Sequence, residues 1–297
     1  MSFSSQAKTE LCRAPISRRC CARAEAYGIL LYCNQFTGSQ VRIVTESSDF
    51  AARLPNLFQK AFKITFDTLP EDGAGKYTFS IKDADKLRTL WNAFDCAPEE
   101  TLAHHINFAM VEEDHCRTAL FRGAFLAGGS VTDPAKRYHL EISTHHLSVS
   151  RELRTLLLEA GFSPKETQRK GVSVTYFKQS EAIEDFLTAL GAPLAAMELM
   201  NAKAEKDLRG SVNRRVNCDA ANLDKTVEAA QEQMEAIYRL EERGLLEDLP
   251  DKLKEAVDLR MAHPELTLSQ LCQLCDPPVS KSAFNHRLRK LLALSKS

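Results

Sequence analysis

The fold of this chain is decided by two apolar segments, CARAEAYGILLYCNQF at residues 21–36 and CRTALFRGAFLAGGSV at residues 116–131. When Cys21 is aligned with Cys116, Gly28 falls on Gly123. Each segment is predicted to form a helix with a glycine in its middle, which costs about 1 kcal/mol relative to alanine. We therefore expect the two helices to cross at these glycines, with backbones too close for a Cβ atom.

Similar elements are predicted after each of these helices. The first is followed by a strand at 40–45, a helix at 48–62, strands at 63–68 and 77–82, and a helix at 84–94. The second is followed by a strand at 138–143, a helix at 148–161, strands at 166–170 and 172–178, and a helix at 181–190. With one more short strand before residue 40 and another before residue 136, each unit is α-β-β-α-β-β-α. The sequence thus predicts an α+β fold with a duplicated αββαββα domain, its repeats at about 17–110 and 112–192.

The C-terminal segment at residues 265–294 reads ELTLSQLCQLCDPPVSKSAFNHRLRKLLAL. It predicts a short helix at 268–274, a break at Pro277 and Pro278, and a second helix that Ser280 caps. One face of the second helix is apolar, with Phe284, Leu288, Leu291 and Leu292. Residues 280–297 carry five Lys/Arg and no Asp or Glu. This pattern indicates a helix-turn-helix that reads DNA; the alternative is a solvated helix with a basic C-terminal end.

The candidate DNA-binding residues lie on the polar side of the second helix. They are Ser280, Lys281, Ser282, Asn285, His286, Arg287, Arg289 and Lys290. The first residues of a recognition helix meet base edges, and there Asn can pair with adenine and Lys can donate to guanine. The later residues Arg287, Arg289 and Lys290 are better placed for phosphate, which positions the protein without specifying sequence.

A connector at residues 194–218 is predicted between a domain at 1–193 and an all-α domain at 219–297. A helix at 194–208 leads into RGSVNRRVNCDAANLDKT at 209–226, in which residues 211–218 are interpreted as a loop without apolar periodicity. Its Arg214 and Arg215 are further candidates for binding phosphate; a solvated polar hinge is the alternative. A long helix from residue 220 is predicted to end before Gly244, and another helix spans 250–262.

The composition is that of a globular protein. The chain has 297 residues, 44% hydrophobic and 27% charged, with a net charge of −1, so a nucleic-acid surface must be local. It shows no apolar signal-peptide region and no membrane-spanning apolar run. Nine cysteines, an odd number, fit free thiols in a reducing cytoplasm.

The sequence predicts no metal site and no cofactor. Cys272 and Cys275 form a C-x-x-C motif, but no second Cys/His pair lies at zinc-finger spacing, and both belong to a packing face. The pairs His104–His105 and His145–His146 are adjacent in sequence, so their side chains diverge and chelate poorly.

The repeat resembles the LAGLIDADG homing-endonuclease fold, with FRGAFLAGG at 121–129 over the signature helix of that family. In active members an acid stands at the foot of each signature helix, and the two acids together hold the divalent metals that cut DNA. Cys33 and Gly128 occupy these positions here, and neither supplies an oxygen. Asp133 and Glu141 lie nearby in sequence but have no equivalent in the first repeat. The resemblance therefore implies the fold without catalytic residues, and a protein that is not an enzyme.

As a whole the chain resembles the WhiA family of bacterial transcription regulators, which joins a degenerate LAGLIDADG-like domain to a C-terminal helix-turn-helix. The resemblance rests on MSFSSQAKTEL at 1–11, RCCARAEAYG at 19–28, FRGAFLAGGSVTDPAKRYHLEI at 121–142, NRRVNCDAANLDKT at 213–226 and PPVSKSAFNHRLRKL at 277–291. It implies a cytoplasmic, nucleoid-bound regulator of Gram-positive bacteria, linked to sporulation or to cell division and chromosome segregation.

The leading hypothesis is a non-enzymatic transcription factor that binds double-stranded DNA, with no membrane partner. Acidic and basic residues nearly balance over residues 17–190, so the LAGLIDADG-like domain either contacts DNA weakly or binds a protein such as RNA polymerase or another transcription factor. One alternative is an adaptor at the transcription machinery, whose basic helix binds protein. The other is a metal-dependent endonuclease, which the missing acids disfavour.

Overall fold

The computed structural model describes residues 2–70, 75–95 and 103–296, which form two compact units, Met1–Asp207 and Leu208–Ser297. The first unit opens with α1 (Phe3–Arg13), α2 (Arg19–Tyr32), β1 (Gln35–Phe36), β2 (Val41–Thr45), α3 (Ser48–Phe62), β3 (Tyr77–Ile81) and α4 (Ala84–Ala93). After a short 3-10 turn at Phe108–Val111 come α5 (Asp114–Gly128), β4 (Gly129–Val131), β5 (Leu140–Thr144), α6 (Leu147–Glu159), β6 (Lys165–Arg169), β7 (Val172–Phe177) and α7 (Ser180–Leu190).

The duplicated α+β fold is confirmed. Every strand is antiparallel to its neighbours, and the sheet orders are β1-β2-β3 and β4-β5-β7-β6. The second repeat has the complete α-β-β-α-β-β-α order, including the short strand β4. The predicted strand at 63–68 is wrong, because only an isolated bridge joins Thr68 to Ser80. Buried Ile64 and Phe66 produce an alternating pattern there, but the carboxylate of Asp67 accepts the backbone N–H groups of residues 82 and 83.

The central helices α2 and α5 cross at the two predicted glycines. A Cβ atom at Gly28 would overlap the Leu120 carbonyl oxygen, and one at Gly123 would overlap the Glu25 carbonyl oxygen. Hydrogen at these positions lets the two backbones touch. This close contact joins the two repeats into one core.

A buried charge network also joins the repeats. The carboxylate of Glu25 on α2 accepts hydrogen bonds from Arg53 Nε and Nη2, at 2.6 and 2.9 Å, and from Arg122 Nη1 at 3.3 Å. Arg122 lies on α5 and also donates through Nε to the Leu190 carbonyl at 2.7 Å. Removal of any one of these three side chains would leave a buried charge without one of its partners, which is strongly destabilising.

The loop expected at residues 211–218 is also wrong, because α8 runs from Pro193 to Glu242 as one helix. No proline follows Pro193 in this stretch, so nothing removes a backbone donor. Leu208, Val212 and Val216 recur at four-residue spacing, which is helical periodicity that the loop interpretation missed. Asn, Ser and Gly at 210–217 favour turns locally, but the intrinsic preference of single residues is weak, and the helical residues on both sides override it. The domain boundaries at 193 and 219 stay a prediction.

The second unit holds the remainder of α8 with α9 (Asp251–Ala262), α10 (Leu268–Leu271) and α11 (Lys281–Lys296). Its core is formed by side chains from all four helices and the turns between them: Ile237, Leu240, Leu249, Leu253, Ala256, Val257, Leu271, Cys272, Cys275, Phe284, Leu288 and Leu291. The helix-turn-helix therefore has a hydrophobic core of its own.

Among the described helices, none is long and apolar enough to cross a membrane. The eight cysteines that the structure describes are free thiols. The ninth, Cys96, lies outside the described residues.

Candidate nucleic-acid interface

The second helix of the helix-turn-helix, α11, begins where the sequence predicts. Ser280 accepts a hydrogen bond from the Ala283 backbone N–H at 3.2 Å and so caps the first turn. Phe284, Leu288 and Leu291 are buried. Leu292, which was placed on the same face, is only partly buried. The apolar stripe thus fixes which side of α11 faces away from the core.

The turn before α11 is shaped by packed and capped residues. Thr267 and Gln270 form a capping box at the start of α10. Cys272 and Cys275 are buried in the core, as their position on a packing face predicts. Arg260 is only 2% exposed and donates to the Leu266 carbonyl at 2.9 Å. These contacts hold the entry to α10 and the turn that follows it.

The polar side of α11 is open in the structure. Lys281, Ser282, His286, Arg289 and Lys290 are exposed, and Asn285 is half-buried. Within the described part of the chain, none of these six side chains makes a hydrogen bond or an ion pair. Their donors are therefore free to meet a ligand from outside, as a recognition helix requires.

Arg287 differs from its neighbours because α9 already holds it. Its Nη1 donates to Glu255 Oε2 at 2.6 Å, and its side chain is only 14% exposed. The other oxygen of Glu255 accepts the Asp276 backbone N–H at 3.0 Å. The bond from Asp276, followed by that from Arg287, holds the pKa of this carboxyl below its usual range. One carboxylate thus ties the turn and the recognition helix to α9.

Arg214 and Arg215 lie on α8 and are exposed, rather than in the loop that the sequence indicates. As neighbours on a helix they point about 100° apart, so they do not form one fork for a single phosphate. Among the described residues neither makes an ion pair with an acid. They belong to the same unit as α11.

At the foot of the central helices a cavity of about 530 Å³ lies where homing enzymes carry their acids. Its lining contains no Asp or Glu among the described residues. Cys33 Sγ donates to the carbonyls of Leu30 and Gln35, both at 3.2 Å, and burial raises the pKa of this thiol to about 12. A Cβ atom at Gly128 would lie 2.6 Å from the Ser143 carbonyl oxygen, so a carboxylate does not fit there without rearrangement.

The nearby acids serve other contacts. Asp133 accepts the Ala135 backbone N–H at 2.8 Å in a turn. Glu141 lies 3.0 Å from His139 Nε2 and 3.7 Å from Arg169 Nη1. Charges on this sheet are therefore partly neutralised by each other, which weakens any attraction for phosphate.

The two histidine pairs make contacts within the protein. His104 and His146 approach each other across the cavity, with ring centroids 4.3 Å apart. Burial, followed by the neighbouring His104 and His145, lowers the pKa of His146 to about 4. His105 instead lies 2.6 Å from the Glu152 carboxylate. His104 and His105 thus diverge, as expected for neighbours, whereas His145 and His146 both line the cavity.

Comparison with known proteins bears on both units. The model of the WhiA C-terminal HTH domain matches residues 212–295, and that of the WhiA LAGLIDADG-like domain matches residues 117–209. A probable cell division protein WhiA of Ruminiclostridium cellulolyticum is 35% identical over 300 residues, covering 98% of this chain and 96% of the relative. A probable cell division protein WhiA of Clostridium novyi is 38% identical over 308 residues, covering 98% of this chain and 96% of the relative.

A solved structure shows the same fold. The crystal structure of full-length DUF199/WhiA from Thermatoga maritima superposes with a TM-score of 0.60 and 23% identity. The match covers 100% of this chain and 98% of that chain.

Proposed function

This chain belongs to the WhiA family, and from that premise we propose that it is a sequence-specific, DNA-binding transcriptional regulator. The relatives are named probable cell division proteins, which supports a link to cell division. The proposal extends this link to chromosome segregation or to sporulation. Double-stranded DNA is the proposed partner, and the nucleoid in the cytoplasm is the proposed place of action.

The observation that carries this proposal is the open polar side of α11. A capped helix packed through Phe284 and Leu288 presents donors that no described residue occupies. Ser282 and Asn285 stand at its start, where a recognition helix meets base edges, while Arg289 and Lys290 stand further along for phosphate. Ser280 contributes as the cap, and Arg287 contributes by holding the helix to Glu255.

The proposal includes the absence of nuclease activity. Two-metal cleavage needs carboxylates placed together, and the cavity between Cys33 and Gly128 has none among its described lining residues. Purified protein with Mg²⁺ or Mn²⁺ should leave supercoiled plasmid intact. Metal-dependent nicking that Asp133→Asn or Glu141→Gln abolishes would contradict this part.

The test of DNA reading is a binding titration with genomic fragments at several salt concentrations. We expect a subset of fragments to bind more tightly than scrambled DNA, with an affinity that falls as salt rises. Equal, weak binding to all fragments would contradict sequence-specific reading.

A second candidate function is an adaptor at the transcription machinery. It is supported by the first unit, whose sheet pairs Glu141 with His139 and Arg169 instead of exposing a basic surface. In this reading the first unit binds RNA polymerase or another transcription factor. Tight binding of the protein to purified RNA polymerase without any preference among DNA fragments would favour the adaptor.

A further inference from the structure

Four side chains that can bind metal meet in the first unit, and none of them lines the cavity at the foot of the central helices. They are Cys20, Cys21, His115 and Cys116, and their ligand atoms all lie within 4.8 Å of one another. Cys21 Sγ is 3.4 Å from His115 Nδ1, and Cys116 Sγ is 3.1 Å from the same nitrogen. Cys20 is exposed at the rim of the cluster, and Cys116 is buried at its base. The cluster thus has an accessible side and a packed side.

The repeat builds this cluster symmetrically. Cys20 and Cys21 occupy the first turn of α2, which begins at Arg19, and His115 and Cys116 occupy the first turn of α5, which begins at Asp114. The two pairs are equivalent positions of the duplicated unit. The glycine contacts between α2 and α5 hold the helices together farther along. Each helix contributes two adjacent residues, and the crossing of α2 and α5 brings both pairs to one point.

The chemistry of the set fits zinc. Zn²⁺ in structural sites binds four Cys and His ligands in a tetrahedron, with bonds of about 2.3 Å to sulfur and about 2.0–2.1 Å to nitrogen. Tetrahedral geometry at those lengths separates ligand atoms by roughly 3.5–3.8 Å. The two sulfur-to-nitrogen distances in the cluster, 3.4 and 3.1 Å, are close to this spacing before any ion draws the ligands into place.

The thiols stay protonated until a metal ion binds, because burial, followed by the neighbouring Cys20, raises the pKa of Cys21 and of Cys116. Metal binding at this cluster would therefore release protons. Neither Arg18 nor Glu113, the residues that precede α2 and α5, caps its helix with a side-chain hydrogen bond. The cluster lies in the first turns of α2 and α5, at the positive ends of their dipoles, which favour negative charge. Three thiols and an imidazole can each give one ligand, so the set fills a closed tetrahedron and leaves no position for substrate.

We propose that Cys20, Cys21, His115 and Cys116 bind one Zn²⁺ ion as a structural site that clamps the two repeats together where α2 and α5 begin. The metal ligands come in equal number from each repeat. Binding would therefore stabilise the folded state of the first unit against separation of its halves, because the ligands assemble only when the repeats are packed. This departs from the absence of a metal site that the sequence alone predicts.

The test is the metal content of the full chain, purified under reducing conditions without chelators or a histidine tag. We expect about one equivalent of zinc per chain. Replacement by Co²⁺ should give the visible bands of a tetrahedral site and the near-ultraviolet band of thiolate ligation. Cys20→Ser and His115→Ala should each lose most of the zinc. Cys218→Ser, which alters an exposed cysteine on α8, should keep it.

A second variant separates loss of ligation from loss of folding. His115→Cys should retain zinc and strengthen the thiolate band of the Co²⁺ form, because it replaces nitrogen by sulfur within the same site. Three results would overturn the proposal. The first is a zinc content well below one equivalent per chain that is the same in the parent protein and in Cys20→Ser. The second is bound iron, with a brown chromophore, in place of zinc. The third is a disulfide between Cys20 and Cys116 in protein kept under reducing conditions.

Discussion

Glu255 on α9 binds Arg287 on α11 at 2.6 Å, although the two residues lie far apart in sequence. Its second oxygen holds the Asp276 N–H, so one side chain sets the angle at which the recognition helix leaves the turn. The pair is partly buried, with 14% of the Arg287 side chain and 30% of that of Glu255 exposed. Its contribution is therefore larger than that of a fully exposed ion pair, whose median is about 0–1 kcal/mol.

Glu255→Ala should lower the free energy of unfolding of the second unit by about 1–3 kcal/mol, because hydrogen bonds to a charged group are lost and the Asp276 N–H is left unpaired. Urea unfolding followed by circular dichroism measures this change. Glu247→Ala, at an exposed position in the same unit, is the matched control and should change stability by less than about 0.5 kcal/mol. Equal losses in the two variants would contradict a positioning role for Glu255.

Asn285→Ala should weaken binding to the preferred DNA site by roughly 1–3 kcal/mol and relax specificity, because it removes a contact to a base edge. Arg289→Ala should weaken binding to all sequences alike and lower the salt slope by about one unit, because it removes a phosphate contact. Titrations against specific and scrambled DNA distinguish the two. Lys252→Ala, exposed on α9, is the control. If both helix variants bind like the parent while folded, α11 is not the DNA reader.

Gly123→Ala should destabilise the first unit by about 1–3 kcal/mol or more, because its Cβ would overlap the Glu25 carbonyl oxygen on the facing helix. Gly75→Ala is the control, since a Cβ there meets nothing within 4 Å. Thermal or urea unfolding compares them. Similar stabilities for the two variants would mean that the backbones can separate at little cost.

Gly210→Ala should stabilise α8 by about 1 kcal/mol, because alanine is the better helix former and its Cβ meets only Arg214 Nη1, at 3.6 Å. Gly244→Ala should act in the opposite direction, since Gly244 has a left-handed backbone with φ +68°. Limited proteolysis and urea unfolding measure both variants. Rapid cleavage at 211–218 in the parent, with no effect of Gly210→Ala, would restore the loop interpretation.

Acid should destabilise the first unit through His146. Its folded pKa of about 4 lies below the ordinary value of 6.5, so between these pH values the unfolded chain binds more protons than the folded one. The free energy of unfolding should therefore fall as pH drops from about 6.5 to about 4. His146→Asn should flatten this dependence, whereas His286→Asn, exposed on α11, should not. An unchanged slope in His146→Asn would assign the acid sensitivity to other groups.

Much of the fold follows from local patterns. The crossing at Gly28 and Gly123 could be predicted because a helical glycine is unfavourable unless another backbone needs the space. The cap at Ser280 and the buried position of Phe284 follow from short-range hydrogen bonding and helical periodicity. The strand predicted at 63–68 is wrong because alternating apolar residues indicate which side chains are buried, not whether the backbone pairs with another strand. The Asp67 carboxylate accepts the backbone N–H of residue 82, and only an isolated bridge joins Thr68 to Ser80.

The sequence by itself determined the duplicated architecture, the family and the polar side of α11. Each of these can be recognised from the residue pattern within single helices and strands, without knowing how they pack. Tertiary structure alone decided which donors stay open and which do not. Arg287 is held because the fold brings Glu255 to it, whereas no residue that the structure describes binds Arg289. The tertiary structure also places the side chains of Cys20 and Cys21 next to those of His115 and Cys116. Each helix supplies two adjacent ligands, and only the crossing of the two helices places all four ligand atoms around one point.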